Sequence, residues 1–306
     1  QSAAMTDDLA FTRYLAMVSS AADVVVIVST FSAKQLRNSV PQRQIAYFAF
    51  ANVITSMNNA IAFYTPPADG SVLCEVQGAV NWAGVWSAWA WLCAFALTLH
   101  RRFALGIYQP LSPTTTEHSL EGFLLHTLCW GVPVAAATLS AVTVSFGITN
   151  KAFVCSVKSS ASGVRVASHT VSLLAIVWCA VCFVRIHVVV NRALHLGAQL
   201  LDPDSHAATA SRLRLWPRFA CYLLIFGATQ LPITIESIVS RLSGGVPEVL
   251  VSITLGLSLT HGALNGAVFL WFNSSVLYEA FCMDSCHCHR PRAAAWLTAQ
   301  LTRTSR

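Results

Sequence analysis

Seven apolar stretches, each about the length needed to cross a lipid bilayer, constrain this chain more than any other feature. A bilayer core of about 30 Å takes roughly 20 residues of helix. The stretches lie at 12–33, 45–65, 74–99, 119–147, 165–190, 218–241 and 247–272, each bounded by charge, proline or glycine clusters. Composition leaves little alternative. Of 306 residues 55% are hydrophobic and 10% charged, against about 25% charged in an ordinary soluble domain. So few charges cannot clothe a water-soluble fold of this size, but they suit a surface that faces lipid. The expected fold class is an all-α membrane protein, a seven-transmembrane helix bundle over residues 1–282 with a short basic tail at 283–306. The first apolar run is too long for a secretory signal, and the start at Gln1 suggests a processed or trimmed chain.

Between the second and third stretches, Thr65-Pro66-Pro67-Ala68-Asp69-Gly70 reads as a tight turn. The sixth stretch is the most interrupted, with Gln230, Pro232 and Glu236. Such residues are tolerated where they face a bundle interior.

Lysine and arginine placement orients the bundle, because basic loops stay cytoplasmic. With the N-terminus outside, fourteen of the 19 Lys and Arg residues fall in inner segments. Only Arg13, Lys151, Lys158, Arg165 and Arg241 fall in outer ones. The expectation is therefore an external N-terminus, a cytoplasmic C-terminus and a multi-pass protein of the plasma membrane. The net charge of +6 reports this orientation and not nucleic-acid binding, since the basic residues sit in short loops between apolar spans. Cys282, Cys286 and Cys288 then lie just inside the last span, as palmitoylation candidates. His287 and His289 alternate with two of them, but adjacent residues chelate poorly; neither a metal nor a cofactor is expected. Cys93, Cys129, Cys179, Cys182 and Cys221 sit inside apolar stretches, where packing thiols are the ordinary reading.

Three motifs carry a family resemblance. The third stretch opens Cys74-Glu75-Val76-Gln77-Gly78 and continues through Trp82, Trp86 and Ser87-Ala88-Trp89. This resembles the third helix of the slime-mould cyclic-AMP receptors and their relatives, with a Cys-x-x-Gln-Gly entry followed by Ser-x-x-Trp; here the Trp comes one place sooner. Cys129-Trp130-Gly131-Val132-Pro133 is similar to that group's Trp-Gly-x-Pro element. His261-Gly262-Ala263-Leu264-Asn265-Gly266-Ala267-Val268-Phe269 is similar to its Gln-Gly-x-x-Asn-x-x-x-Tyr/Phe stretch, with His261 in the place of Gln. The second stretch lacks the acidic residue often found there. The resemblance covers the seven-helix core and implies a G-protein-coupled receptor.

On that expectation the residues sort by depth. Cys74 at the outer start of the third stretch and Cys155 in the second outer loop both meet oxidising conditions. A bridge between them, as against two free thiols, would contribute on the order of 3–4 kcal/mol by loop closure. Asp23, Asn52 and Asn265 are candidates for an interhelical polar network, worth about a kcal/mol or less per contact if it is ordinary helix glue. Nearer the outer half, Asn81, Trp82, Trp86, His169, Glu236, Ser258 and His261 are the candidate ligand-binding residues, although any single Trp is as well explained by packing. At the inner end, His100, Arg101, Arg102 and Arg214 would face a heterotrimeric G protein. The implied partners are an extracellular ligand, for which a cyclic nucleotide is one possibility, that G protein and the lipid bilayer.

Other functions fit less well. A retinal-based protein needs a buried lysine on its last helix, and the only lysines, Lys34, Lys151 and Lys158, lie outside the stretches. No metal-ligand spacing or nucleophile–base pair points to an enzyme. A polytopic transporter or channel is the alternative, but it would show repeated halves or rings of charge, and neither is evident.

Overall fold

Proline, glycine and hydroxyl residues shape the long helices of this chain. A computed structural model describes residues 2–65, 67–104, 120–143, 146–148, 155–157, 162–200, 215–242 and 247–282. Its helices are α1 (Ser2–Ser32), the single turn α2 (Lys34–Arg37), α3 (Val40–Tyr64) and α4 (Val72–Phe103). A broken helix follows, made of α5 (Leu120–His126), a π-helical turn (Thr127–Gly131) and α6 (Val132–Thr143). The last three are α7 (Ser162–Leu200), α8 (Leu215–Leu242) and α9 (Glu248–Cys282). The broken helix counts as one crossing, so seven long rods form the bundle that the apolar stretches predict. They overrun those stretches because polar ends carry the helices past the apolar segment: α1 begins at Ser2, α7 reaches Leu200 and α9 reaches Cys282.

Five of the rods are long and apolar enough to cross a membrane. The other two, α3 and α8, are interrupted by polar residues that the bundle buries. Gln44 of α3 and Thr229 and Thr234 of α8 are all buried. The exterior is the reverse of a soluble surface. Leu139 is 65% exposed, Val142 82% and Leu174 64%, as expected where the solvent is hydrocarbon. Many hydroxyl groups are satisfied within their own helices, as Thr55 donates to the Ala51 carbonyl (3.2 Å), Thr98 to Ala94 (2.9 Å) and Thr138 to Val134 (2.8 Å). With no water to serve them, that is what a lipid environment demands.

The π-helical turn has a cause in the sequence. Pro133 follows it and cannot donate a backbone N–H to the carbonyl one turn earlier, and its ring crowds that carbonyl. Widening the preceding turn relieves the clash.

α4 is the central rod, packed on α3, α6 and α7, while α1 packs on α3 and α9, and α9 on α8. Trp91, Phe95 and Leu99 of α4 are completely buried. Two close approaches set the α3–α4 spacing. Gly84 faces the Thr55 hydroxyl with no room for a Cβ. About two turns back along α4, Asn58 Nδ2 donates to the Gln77 carbonyl (3.0 Å) and Gln77 Nε2 to the Asn58 carbonyl (3.4 Å).

The predicted fourth span, 119–147, runs too far. The helix ends at Thr143, and Phe146–Ile148 is a strand paired antiparallel with Cys155–Val157, with Ile148 opposite Cys155. Cys155 is bonded to Cys74 (S–S 2.04 Å, sequence separation 81). The pairing and the bridge turn apolar residues into a hairpin held against α4, a long-range constraint that local hydropathy does not register. Phe146 is fully buried, seated on Gly78 where a Cβ would collide with its ring. The predicted turn after α3 is present: Gly70 takes a left-handed φ of 72°, and Ser71 caps α4 by accepting from the Cys74 N–H (3.2 Å).

Candidate functional site

Polar residues at helical spacing on α3 converge with polar residues of α8 and α9 in mid-bundle. Asn52, Thr55, Ser56 and Asn59 form a stripe along one face of α3. Together with Ser19 of α1, Val85, Ala88 and Trp89 of α4, Phe226 and Gln230 of α8, and Ser258, Leu259, His261 and Gly262 of α9, they enclose a cavity of about 70 Å³. That is room for roughly five waters. Its lining holds amides, hydroxyls, one imidazole and no Lys, Arg, Asp or Glu.

His261 is the hub. Asn265 Nδ2 donates to His261 Nε2 (2.8 Å), and His261 Nδ1 lies 2.8 Å from the Thr229 hydroxyl, which itself donates to the Ile225 carbonyl (2.8 Å). Each group's role follows from its neighbour. An amide NH₂ can only donate, so Nε2 accepts, Nδ1 carries the proton, and the threonine passes its own hydrogen down α8. The ring sits edge-on between Phe48 (5.3 Å) and Phe226 (5.6 Å). Phe226 in turn meets Trp89 edge-on at 4.6 Å. Beside this chain Gln230 donates to the Ser258 hydroxyl (3.3 Å), a second polar tie between α8 and α9. Asn52 Nδ2, Asn59 Oδ1 and Asn265 Oδ1 are buried without a protein partner, and the first two belong to cavity-lining residues.

Behind the cavity wall lies Asp23. It is completely buried on α1, and neither carboxyl oxygen meets a hydrogen-bond donor. It reaches α9 at Gly262, where a Cβ would run into its carboxyl and into the Ser19 hydroxyl; four residues on, Gly266 leaves the same kind of room for Ala22. A small residue every fourth position lets two membrane helices approach backbone to backbone.

Of the seven expected ligand-binding residues, Ser258 and His261 line the cavity, whereas Asn81, Trp82, Trp86, His169 and Glu236 do not. Trp82 and Trp86 stack on each other (5.2 Å). Trp82 supports Phe146 of the hairpin (6.0 Å), and Trp86 donates to Ser168 of α7 (3.3 Å). Asn81, His169 and Glu236 are half-buried. Within the expected network, Asn265 bonds His261 and not Asn52; Asn52 opens onto the cavity and Asp23 stands against Gly262. At the basic end, Arg101 pairs with Glu121 (2.7 Å), tying α4 to α5, with both side chains more than half exposed (51% and 67%); such a pair contributes at most about 1 kcal/mol. His100 and Arg102 are half-buried. Arg214, Cys286 and Cys288 lie outside the described residues, as does the side chain of Cys282.

Sequence reasoning missed Thr229, Gln230, Ser19 and Asn59 as site residues. The 52, 55, 56, 59 spacing was the available signal, since polar residues three and four apart on a buried helix share one face.

Replacing His261 with Ala should leave the Thr229 and Asn265 side chains facing a void. Each stranded polar group costs about 1–3 kcal/mol. The variant is expected to melt well below the parent in detergent, and His261→Gln, which keeps a donor and an acceptor, to recover part of the loss.

No family model matches the sequence, and no curated protein matches it. Among solved structures, the crystal structure of squid rhodopsin is similar over 95% of this chain and 89% of its own, with a TM-score of 0.75 and 12% identity. The fold is thus the seven-helix bundle seen in rhodopsin.

Proposed function

We propose that the chain is a cell-surface receptor of the cyclic-AMP receptor-like kind. It passes a signal from the Cys74 end of the bundle to a heterotrimeric G protein at the Arg101 end. The observation that carries this reading is the hydrogen-bonded chain from α9 to α8 through His261, set against a polar cavity. Those contacts join rods that must shift relative to one another if the inner ends are to open.

The magnitudes fit a switch that needs help. Interhelical hydrogen bonds in membranes are worth about 0.6–1.7 kcal/mol each, so the two ties between α8 and α9, His261 with Thr229 and Gln230 with Ser258, hold roughly 1–3 kcal/mol. Inverting a two-state population from 1:99 to 99:1 takes about 5.5 kcal/mol of differential affinity. A ligand that competes for these partners supplies part of that energy, its other contacts the rest, and the coupling between ligand and G protein is then reciprocal.

The cavity favours a small, uncharged, hydrogen-bonding group. A cyclic nucleotide would have to place its phosphate elsewhere, where the outer-loop residues Lys151, Lys158 and Arg165 are the candidate cations. A retinal-based reading lacks an attachment point, since no lysine occurs in α9.

The test is nucleotide exchange on a panel of purified heterotrimeric G proteins, with the receptor reconstituted in nanodiscs and cyclic AMP as the first probe. Exchange faster than with empty nanodiscs, even without added ligand, and slowed or accelerated by His261→Gln, is the expected result. No exchange with any G protein, together with solute flux into liposomes, would favour the transporter alternative.

A further inference from the structure

The two ends of the mid-bundle cavity differ in hydrogen-bonding sense. Asn52 Nδ2 is a buried donor without a protein acceptor, and Asn59 Oδ1 is a buried acceptor without a protein donor. Both residues line the cavity. Their seven-residue separation on α3 corresponds to about 10.5 Å at the helical rise. By chain direction Asn59 is nearer the Cys74 end and Asn52 nearer the Arg101 end. The volume of about 70 Å³ takes about five waters. In single file at hydrogen-bond spacing they span about 11 Å, which matches the separation of the two asparagines.

The middle of such a file is poorly held. A buried water needs about two to four polar partners. Between the asparagines α3 presents Ser56 and Thr55, and Thr55 already gives its hydrogen to the Ala51 carbonyl. The α4 part of the wall is Val85, Ala88 and Trp89, and Leu259 adds further apolar surface. Displacing loosely held water with an apolar group gains affinity. At the two ends, affinity is kept only if the incoming group restores the hydrogen bonds.

We propose that the cavity is a binding site for a slender neutral ligand with a hydroxyl group at each end of a short aliphatic chain. One hydroxyl accepts from Asn52 Nδ2, and the other donates to Asn59 Oδ1. Each displaced water counts as one non-hydrogen atom, so the ligand has about five or six of them, as a four-carbon diol does. An amine fits less well. No Lys, Arg, Asp or Glu lines the cavity, and the Asp23 carboxyl is completely buried beside Ser19 and Gly262. A desolvated ammonium finds no counter-charge there. Gln230 and Ser258, which tie α8 to α9, line the same cavity, so an occupant lies against a contact that signalling must shift. The signalling consequence rests on the receptor reading; the binding itself needs no G protein.

The experiment follows thermal unfolding of the full chain in one detergent against rising concentrations of three probes matched in non-hydrogen atoms: 1,4-butanediol, 1-pentanol and 4-amino-1-butanol. A saturating rise in melting temperature reports binding to the folded chain. The diol is expected to reach half-effect at about a tenth of the concentration that either other probe needs, because 1-pentanol leaves one buried amide unpaired and the amine brings an unpaired charge. Asn52→Leu and Asn59→Leu should each abolish the diol's advantage over 1-pentanol. Ser172→Ala, on α7 and outside the cavity, should keep it. If the leucine variants do not fold, the three probes on the parent chain decide. Equal half-effects for diol and 1-pentanol, preference for the amine, no saturating rise with the diol, or a diol advantage kept in both leucine variants would overturn the proposal. Saturable diol binding by a chain that drives no nucleotide exchange would support the site and count against the receptor reading, so the two fail separately.

Discussion

Gly262→Val is expected to destabilise the bundle by about 3 kcal/mol or more and to lower the yield of folded protein sharply. Overpacking a well-filled core costs about 1–3 kcal/mol. Here the added carbons meet the Asp23 carboxyl and the Ser19 hydroxyl. Separating α1 from α9 to relieve the clash forfeits one of the most extensive helix contacts among the described residues. The companion changes make the reading specific. Asp23→Ala alone should be neutral or stabilising, because it removes a buried carboxyl that has no hydrogen bond. Combined with Gly262→Ala it should offset most of that substitution's cost, since the missing carboxyl makes room for the new methyl. Residues in contact couple by about 0.5–3 kcal/mol. Unfolding midpoints of the four chains in one detergent measure that coupling directly; additive losses would mean the two side chains do not compete for space.

The second large effect is expected from the bridge between α4 and the hairpin. Closing a loop with a sequence separation of 81 gives about 4.5 kcal/mol in the chain-entropy model of a random coil. A chain unfolded in detergent keeps much of its helix, so the coil value is an upper figure, and about 2–4 kcal/mol is expected for Cys74→Ser. Cys155→Ser should cost the same. The double variant should cost no more than either single one, because one bond is lost in all three. Loss of the bridge also frees the hairpin that seats Phe146 on Gly78 and Trp82, so protease cleavage within 146–157 should accelerate in the variants. Melting temperature and limited proteolysis under reducing and non-reducing conditions measure the two consequences separately.

These effects also mark how far the sequence could be read. The seven rods were legible because lipid imposes one rule, about 20 apolar residues in a helix, which five rods meet outright and α3 and α8 approach with polar residues that the bundle buries. The Cys74–Cys155 pairing was legible because both residues fall on one side of the membrane. The hairpin was not, since Phe146 and Gly147 look like the end of an apolar helix until a partner strand and a disulfide far along the chain fix them. The site was half legible. Polar residues inside apolar spans stood out, and His261, Ser258, Asn52 and Asn265 lie in or beside the cavity. Which of them touch was beyond reach, because that depends on the rotation of each rod, set by close approaches at Gly84, Gly262 and Gly266. The motif residues gained distinct physical tasks: Cys74 bridges, Gln77 clamps α3, Gly78 seats Phe146, and Gly262 and Gly266 admit α1. Of the tryptophans, Trp82 and Trp86 stack on each other, while Trp89 lines the cavity.

Everything about signalling rests on which end of the bundle faces outward. Single cysteines placed at Ala68, in the turn before α4, and at Gln35, on α2, report the two ends; both native residues are exposed. With Cys282, Cys286 and Cys288 changed to Ser, intact cells are treated with a membrane-impermeant maleimide before and after permeabilisation. The account requires Ala68→Cys to label on intact cells and Gln35→Cys to label only once the membrane is opened. Labelling in the opposite order, or both sites reacting from the same side, would contradict it.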